Sequence, residues 1–141
     1  MSKKKTIGVL HLEDSEVIRI HVKERLSLIS DSSGVTLNYV PVLHVLEINQ
    51  ELKKLIAQND KTVFISDLDL GGSLSGSVAV KAIANYFDIP IIIFSASDDS
   101  AIMGVIKEAI QGRSNTAQPI VACKKGSDSI DRAFKSILES K

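Results

Sequence analysis

The 141-residue chain carries one cysteine, no tryptophan, three prolines, two tyrosines and four phenylalanines. A lone Cys123 excludes an internal disulfide and any multi-cysteine zinc site, which fits a reducing compartment, the cytoplasm by default. So few aromatic rings provide no platform for stacking single-stranded bases. Excess charge is missing as well: 17 Lys+Arg balance 17 Asp+Glu. No basic surplus draws the molecule to a polyanion, so direct nucleic-acid binding is not expected. Long apolar runs are also absent. None approaches the ~18 residues of a membrane span, and the apolar stretch after Lys3-Lys4-Lys5 meets Glu13-Asp14 too early for a signal peptide. The expectation is one domain, residues 1–141, with no membrane association; at this length a core can form without metal or disulfide staples.

What is present is an alternation of two periods. Short apolar runs rich in Val and Ile occur at Ile7 to Leu12, Leu37 to Val42, Val63 to Ile65, Ile91 to Phe94 and Ile120 to Cys123. They mostly do not alternate with polar residues, as in strands covered on both faces. Between them, apolar residues recur at helical spacing: Ile18, Val22, Leu26 and Ile29; Ile48, Leu52, Leu55 and Ile56; Ala79, Ile83 and Tyr86; Ile102, Ile106 and Ala109; Ile130, Phe134, Ile137 and Leu138. Ser30 to Gly34 and Gly112 to Gln118 read as surface loops. Five βα units with right-handed crossovers predict an α/β fold, a doubly wound five-stranded parallel sheet with helices on both faces. Pro41 lacks the N–H that an interior strand donates, so the second strand belongs at an edge. The order 2-1-3-4-5 satisfies this.

In such a sheet ligands bind beyond the carboxyl ends of the strands, where strand order reverses, here between the first and third strands. Those ends are polar: Glu13-Asp14 after the first, Asp67-Leu68-Asp69 after the third, Ser95-Ala96-Ser97 after the fourth, Lys124-Lys125 after the fifth. Strands about 4.8 Å apart crowd Glu13, Asp14 and Asp67 together, and carboxylates that close resist joint ionisation. A hard divalent cation relieves the conflict, and few carboxylates with waters and a phosphate oxygen suit Mg²⁺. Lys124 supplies a mobile cation for a phosphoryl or carboxylate oxygen, and Ser95 a hydroxyl, which makes Asp67 the natural acceptor. Taken singly, Asp14, Asp67 or Ser97 reads better as a turn or helix cap; the joint arrangement carries the inference. His11, His21 and His44 lack paired metal spacing, and Cys123 reads as a core thiol.

Leu10-His11-Leu12-Glu13-Asp14-Ser15, Val63-Phe64-Ile65-Ser66-Asp67, Ile93-Phe94-Ser95-Ala96 and Ala122-Cys123-Lys124 resemble the receiver domain of two-component response regulators, over nearly the whole chain. The resemblance implies a flavodoxin-like (βα)5 fold and a phosphoryl switch. A histidine kinase or phosphotransfer protein donates to Asp67; Glu13, Asp14, Asp67 and the Asp69 carbonyl hold Mg²⁺; Ser95 and Lys124 contact the phosphoryl group. If the chain is complete, a separate downstream protein is expected to read the state, since no output segment fits after the fifth helix. Three features depart from the family pattern. Gly71-Gly72 stand where the loop often has proline, Lys125 follows Lys124 and is an alternative site lysine, and Val121 replaces the usual Tyr or Phe. Two alternatives remain. One is an aspartate-nucleophile phosphatase of haloacid dehalogenase type, which Asp67-Leu68-Asp69 and Ser95 resemble but whose acid pair follows rather than precedes the nucleophile. The other is a receiver-shaped module that signals without phosphate.

Overall fold

The structure is a computed structural model that describes residues 5–44, 47–68, 76–95, 99–111, 118–124 and 129–139. Strands and helices alternate from β1 (Thr6–Leu12), α1 (Glu16–Ser32), β2 (Thr36–Val42), α2 (Ile48–Gln58) and β3 (Lys61–Ser66) to α3 (Gly76–Tyr86), β4 (Ile91–Ser95), α4 (Asp99–Gln111), β5 (Ile120–Lys124) and α5 (Ser129–Glu139). All neighbouring strands are parallel, in the order β2-β1-β3-β4-β5. This is the expected doubly wound arrangement, with Pro41 exposed on edge strand β2.

The pleat divides the core in two, because successive side chains leave a strand on opposite faces. Leu10 and Leu12 of β1, Phe64 of β3 and Ile91 and Ile93 of β4 pack with Leu52 of α2, Ile83 of α3 and Ile102 of α4. On the other face, Ile7 and Val9, Val63 and Ile65, Ile92 and Phe94 pack with Val22 and Leu26 of α1 and Phe134 of α5. Both faces of β1, β3 and β4 are thereby covered, which is why these strands read as continuous apolar runs. Gly8 of β1 lets α2 come close: a Cβ there would meet Asn59 Nδ2 at 2.8 Å and Leu55 Cδ2 at 3.1 Å.

Several expectations need correction. The strands extend one or two polar or terminal residues beyond their apolar runs, since ladder pairing does not stop where hydrophobicity does. Ser30 to Ser32 belong to α1 rather than to a loop; the chain turns at Gly34, whose φ of 71° suits glycine. Ile56 and Tyr86, assigned to apolar stripes, are 39% and 80% exposed. Each sits at the edge of its helix's stripe, where a helical step of one or three residues rotates the side chain off the sheet. Residues 112–117 of the second predicted loop lie outside the described residues.

Candidate functional site

The site forms because β1 lies between β2 and β3 and its pairing runs one residue past the strand. The Glu13 N–H donates to the Val42 carbonyl at 3.3 Å, and the Asp67 N–H donates to the Leu12 carbonyl at 3.2 Å. Backbone bonds thus fix Glu13 and Asp67 side by side at the carboxyl end of the sheet. Glu13 is fully buried, Asp67 is 4% exposed, and Asp14 is exposed. One carboxylate oxygen from each of Glu13, Asp14 and Asp67 lies within 4.8 Å of the others.

The local sequence explains why these acids are not structural caps. Ser15 is the N-cap of α1, with extended backbone and an Oγ that accepts from the Ile18 N–H at 3.4 Å, so helix capping does not account for Asp14. Among the described residues, no helix begins directly after Asp67. The Glu13 carboxylate is oriented by the Ser15 N–H, which donates to Oε2 at 3.3 Å. Ser66, wholly buried beside Asp67, donates its Oγ–H to the Asp67 carbonyl at 2.8 Å and stabilises the turn out of β3.

Ser95 ends β4, fully buried, and Lys124 ends β5, exposed; the two pair directly in the sheet. Hydroxyl and ammonium therefore stand at the same end of the sheet as the acids, on the two strands that follow β3 in spatial order. Asp69, Ser97 and Lys125 lie outside the described residues, as does the Gly71-Gly72 loop. Cys123 is buried, as a core thiol should be, and burial pushes it up to about 11, only partly opposed by a hydrogen bond with Ser129. Val121 packs against the apolar cluster beneath α1 and α5.

The donor set fits Mg²⁺. It is made of carboxylate oxygen only, two members are buried and one faces solvent, and no described histidine or cysteine joins it; a zinc site would call for nitrogen or sulfur. Glu13, Asp14 and Asp67 would hold the ion, whose charge offsets their mutual repulsion, roughly 3 kcal/mol for the buried Glu13–Asp67 pair at 4.8 Å and an effective dielectric of about 20.

Sequence reasoning missed a polar network behind the acids. His11, fully buried in β1, lies with Nδ1 2.6 Å from the Tyr39 hydroxyl of β2. Tyr39 also reaches the Arg19 carbonyl at 3.4 Å, and Arg19 Nη1 donates to the Glu13 carbonyl at 2.8 Å. Burial holds the phenol protonated, well above its ordinary range, while Arg19 lowers and Glu13 raises its affinity for the proton. A histidine inside an otherwise apolar strand was the available signal.

No protein-family model matches the sequence, and no curated protein resembles it in sequence. Solved structures do resemble it in fold. A response regulator receiver domain protein from Clostridium thermocellum is 17% identical, with a TM-score of 0.66 and 94% of each chain covered. A response regulator protein from Thermotoga maritima, in complex with Mg²⁺ and BeF, is 19% identical, with a TM-score of 0.54 over 94% of this chain and 98% of that one. An NAD(P)H:quinone oxidoreductase from Methanothermobacter marburgensis is 12% identical, with a TM-score of 0.57 over 97% of this chain and 99% of that one. The chain thus has the five-stranded fold of response-regulator receiver domains, a fold that other chemistry shares. Among the described residues, no helix is long and apolar enough to cross a membrane.

Proposed function

We propose that this chain is a phosphoacceptor receiver, taking a phosphoryl group onto Asp67 from the phosphohistidine of a kinase or phosphotransfer protein and thereby switching its affinity for a downstream protein. The carrying observation is the convergence of Glu13, Asp14 and Asp67 within 4.8 Å at the carboxyl end of the central strands. The quinone oxidoreductase shares the fold, so the acids, not the fold, support this reading.

In the proposed reaction an Asp67 carboxylate oxygen attacks phosphorus while the bond from phosphorus to the donor's imidazole nitrogen breaks. The electron pair stays with the imidazole, which becomes neutral by taking up a proton from solvent. Bound Mg²⁺ would supply charge neutralisation for the phosphoryl oxygens. Glu13 and Asp14 hold that ion next to Asp67, with the Asp69 carbonyl as a further ligand. Lys124 pairs with one phosphoryl oxygen and the Ser95 hydroxyl donates to another, so both bind the product more tightly than the free carboxylate. That differential contact is what moves the loop after β4 and gives a partner two surfaces to distinguish. The soluble-domain composition points to the cytoplasm.

Acetyl phosphate with Mg²⁺, followed by intact mass, tests the proposal. One added phosphoryl group is expected, lost in Asp67→Asn and retained in Asp69→Asn, because Asp67 is the carboxylate that the sheet places beside Glu13 and Asp14. No labelling of the wild type would favour a phosphate-independent module, and sustained turnover of p-nitrophenyl phosphate would favour a phosphatase. Labelling that survives Asp67→Asn but vanishes in Asp69→Asn would move the acceptor.

A further inference from the structure

Among the described contacts that hold Glu13, one leads to the network behind it. Its N–H is tied to Val42 of β2, its Oε2 accepts from the Ser15 N–H, and its carbonyl accepts from Arg19 at 2.8 Å. Arg19 lies in the first turn of α1, where its own N–H donates to the Ser15 carbonyl at 3.0 Å. Its guanidinium therefore reaches backward across the turn that contains Glu13, Asp14 and Ser15. That reach depends on where α1 begins relative to β2, and Tyr39 spans the gap: its hydroxyl lies 3.4 Å from the Arg19 carbonyl.

Tyr39 is itself fixed from behind. A phenol has one proton to give; when it goes to the Arg19 carbonyl, the 2.6 Å contact requires His11 Nδ1 to carry a proton and donate to the phenol oxygen. The two rings meet edge to face, with centroids 5.8 Å apart and planes at 66°, and the imidazole is sealed within the sheet. An edge strand is the most mobile part of a sheet, yet here its central tyrosine is bolted to β1 and to α1.

A metal site binds tightly only when its ligands are preset to within about 0.5 Å, and the groups that orient those ligands commonly contribute about 10- to 100-fold in affinity. We propose that Tyr39 and Arg19 are positioning residues for the divalent-cation site: Tyr39 places Arg19, and Arg19 fixes the Glu13 peptide from which the Glu13 and Asp14 carboxylates project. This rests on the reading above that Glu13, Asp14 and Asp67 bind Mg²⁺. Acting in series, the two residues contribute one effect rather than two.

Calorimetric titration of the full chain with MgCl₂ at constant ionic strength tests the chain of contacts. Tyr39→Phe, which removes one oxygen and no charge, should weaken Mg²⁺ roughly 3- to 10-fold, and Arg19→Gln about 10-fold or more. The sign for Arg19→Gln is the discriminating part. Removing a cation beside a cation site should tighten binding if the guanidinium acts only through its charge, so weaker binding identifies positioning. Arg19→Lys should recover part of the loss, and the double variant should bind no worse than Arg19→Gln within about twofold. Melts in EDTA run beside the titrations separate a general loss of fold from a loss of cation affinity. Unchanged or tighter binding in Arg19→Gln, or penalties that multiply in the double variant, would overturn the positioning role. Absence of Mg²⁺ binding in the wild type sinks the cation reading and this inference together, whereas normal wild-type binding with indifferent variants sinks only the inference.

Discussion

Replacing the acceptor should make the metal-free protein more stable. Asp67 shares a space with two other carboxylates, each offering an oxygen within 4.8 Å. Each like-charged pair at that distance costs roughly 3 kcal/mol at an effective dielectric of about 20. Asp14 is exposed, so water and salt reduce its share to below about 1 kcal/mol. Glu13 is fully buried and its share is kept. Lys124 ends β5, at the same end of the sheet, and its charge returns part of the loss as attraction. The net relief on changing Asp67→Asn, which preserves shape, is then about 2 kcal/mol. For a chain of this size about 2 kcal/mol corresponds to a melting temperature higher by about 6 to 10 °C. Thermal melts followed by circular dichroism in EDTA at low ionic strength would measure it. Saturating MgCl₂ should reverse the order: wild type gains about 2.7 kcal/mol at ~100 times its dissociation constant, while the variant, short of one ligand, gains much less. At ~1 M KCl most of the metal-free difference should persist, because the buried Glu13–Asp67 pair is screened much less than exposed charges. An Asp67→Asn protein that melts at or below wild type in EDTA would refute the repulsion argument, and equal gains from Mg²⁺ in both proteins would refute the ligand assignment.

Three further outcomes follow from particular contacts. Gly8→Ala should lose about 1 to 3 kcal/mol in urea titrations, because a Cβ would meet Asn59 Nδ2 at 2.8 Å and displace that amide from its bond to the Leu55 carbonyl; a neutral result would mean that the Asn59 side chain gives way at no cost. The Arg25 guanidinium binds both Asp131 oxygens, one at 3.1 Å, joining α1 to α5 and holding the Asp131 carboxyl below its ordinary 3.8. With a depressed folded-state value, its contribution is fully present above pH 3.8 and fades as pH falls through the lower folded value. A double-mutant cycle with Arg25→Met and Asp131→Asn should give under about 1 kcal/mol at neutral pH and nothing in strong acid; coupling that persists in acid would contradict it. Cys123, raised to about 11 and buried, should react with iodoacetamide at pH 8 some 100-fold more slowly in the native state than in urea; comparable rates would show that β5 opens readily.

Strand order and the meeting of three acids were legible because each depends on signals local in sequence. Pro41 marks an edge strand wherever the rest of the sheet lies, and the residue after an apolar run marks a strand's carboxyl end. Once β1 and β3 are neighbours, Glu13, Asp14 and Asp67 must converge, and the register Leu12↔Ser66 delivers this. Helix faces were less legible at their margins. Tyr86 fits the apolar spacing by a step of three from Ile83, yet is 80% exposed, because that step turns it away from the face on which Ile83 packs. Asp14, which taken singly reads as a turn or helix cap, leaves that role to Ser15, whose extended backbone and Oγ, accepting from the Ile18 N–H, mark it as the N-cap.

The positioning network escaped the sequence reading because no single period contains it. His11 and Tyr39 belong to different strands, and their meeting depends on register: His11 pairs with Pro41, two residues beyond Tyr39, so the rings approach along a diagonal rather than face to face. Arg19 enters only through the turn that Ser15 caps. Each residue alone has an ordinary explanation, a buried histidine, a strand tyrosine or a solvated helix arginine.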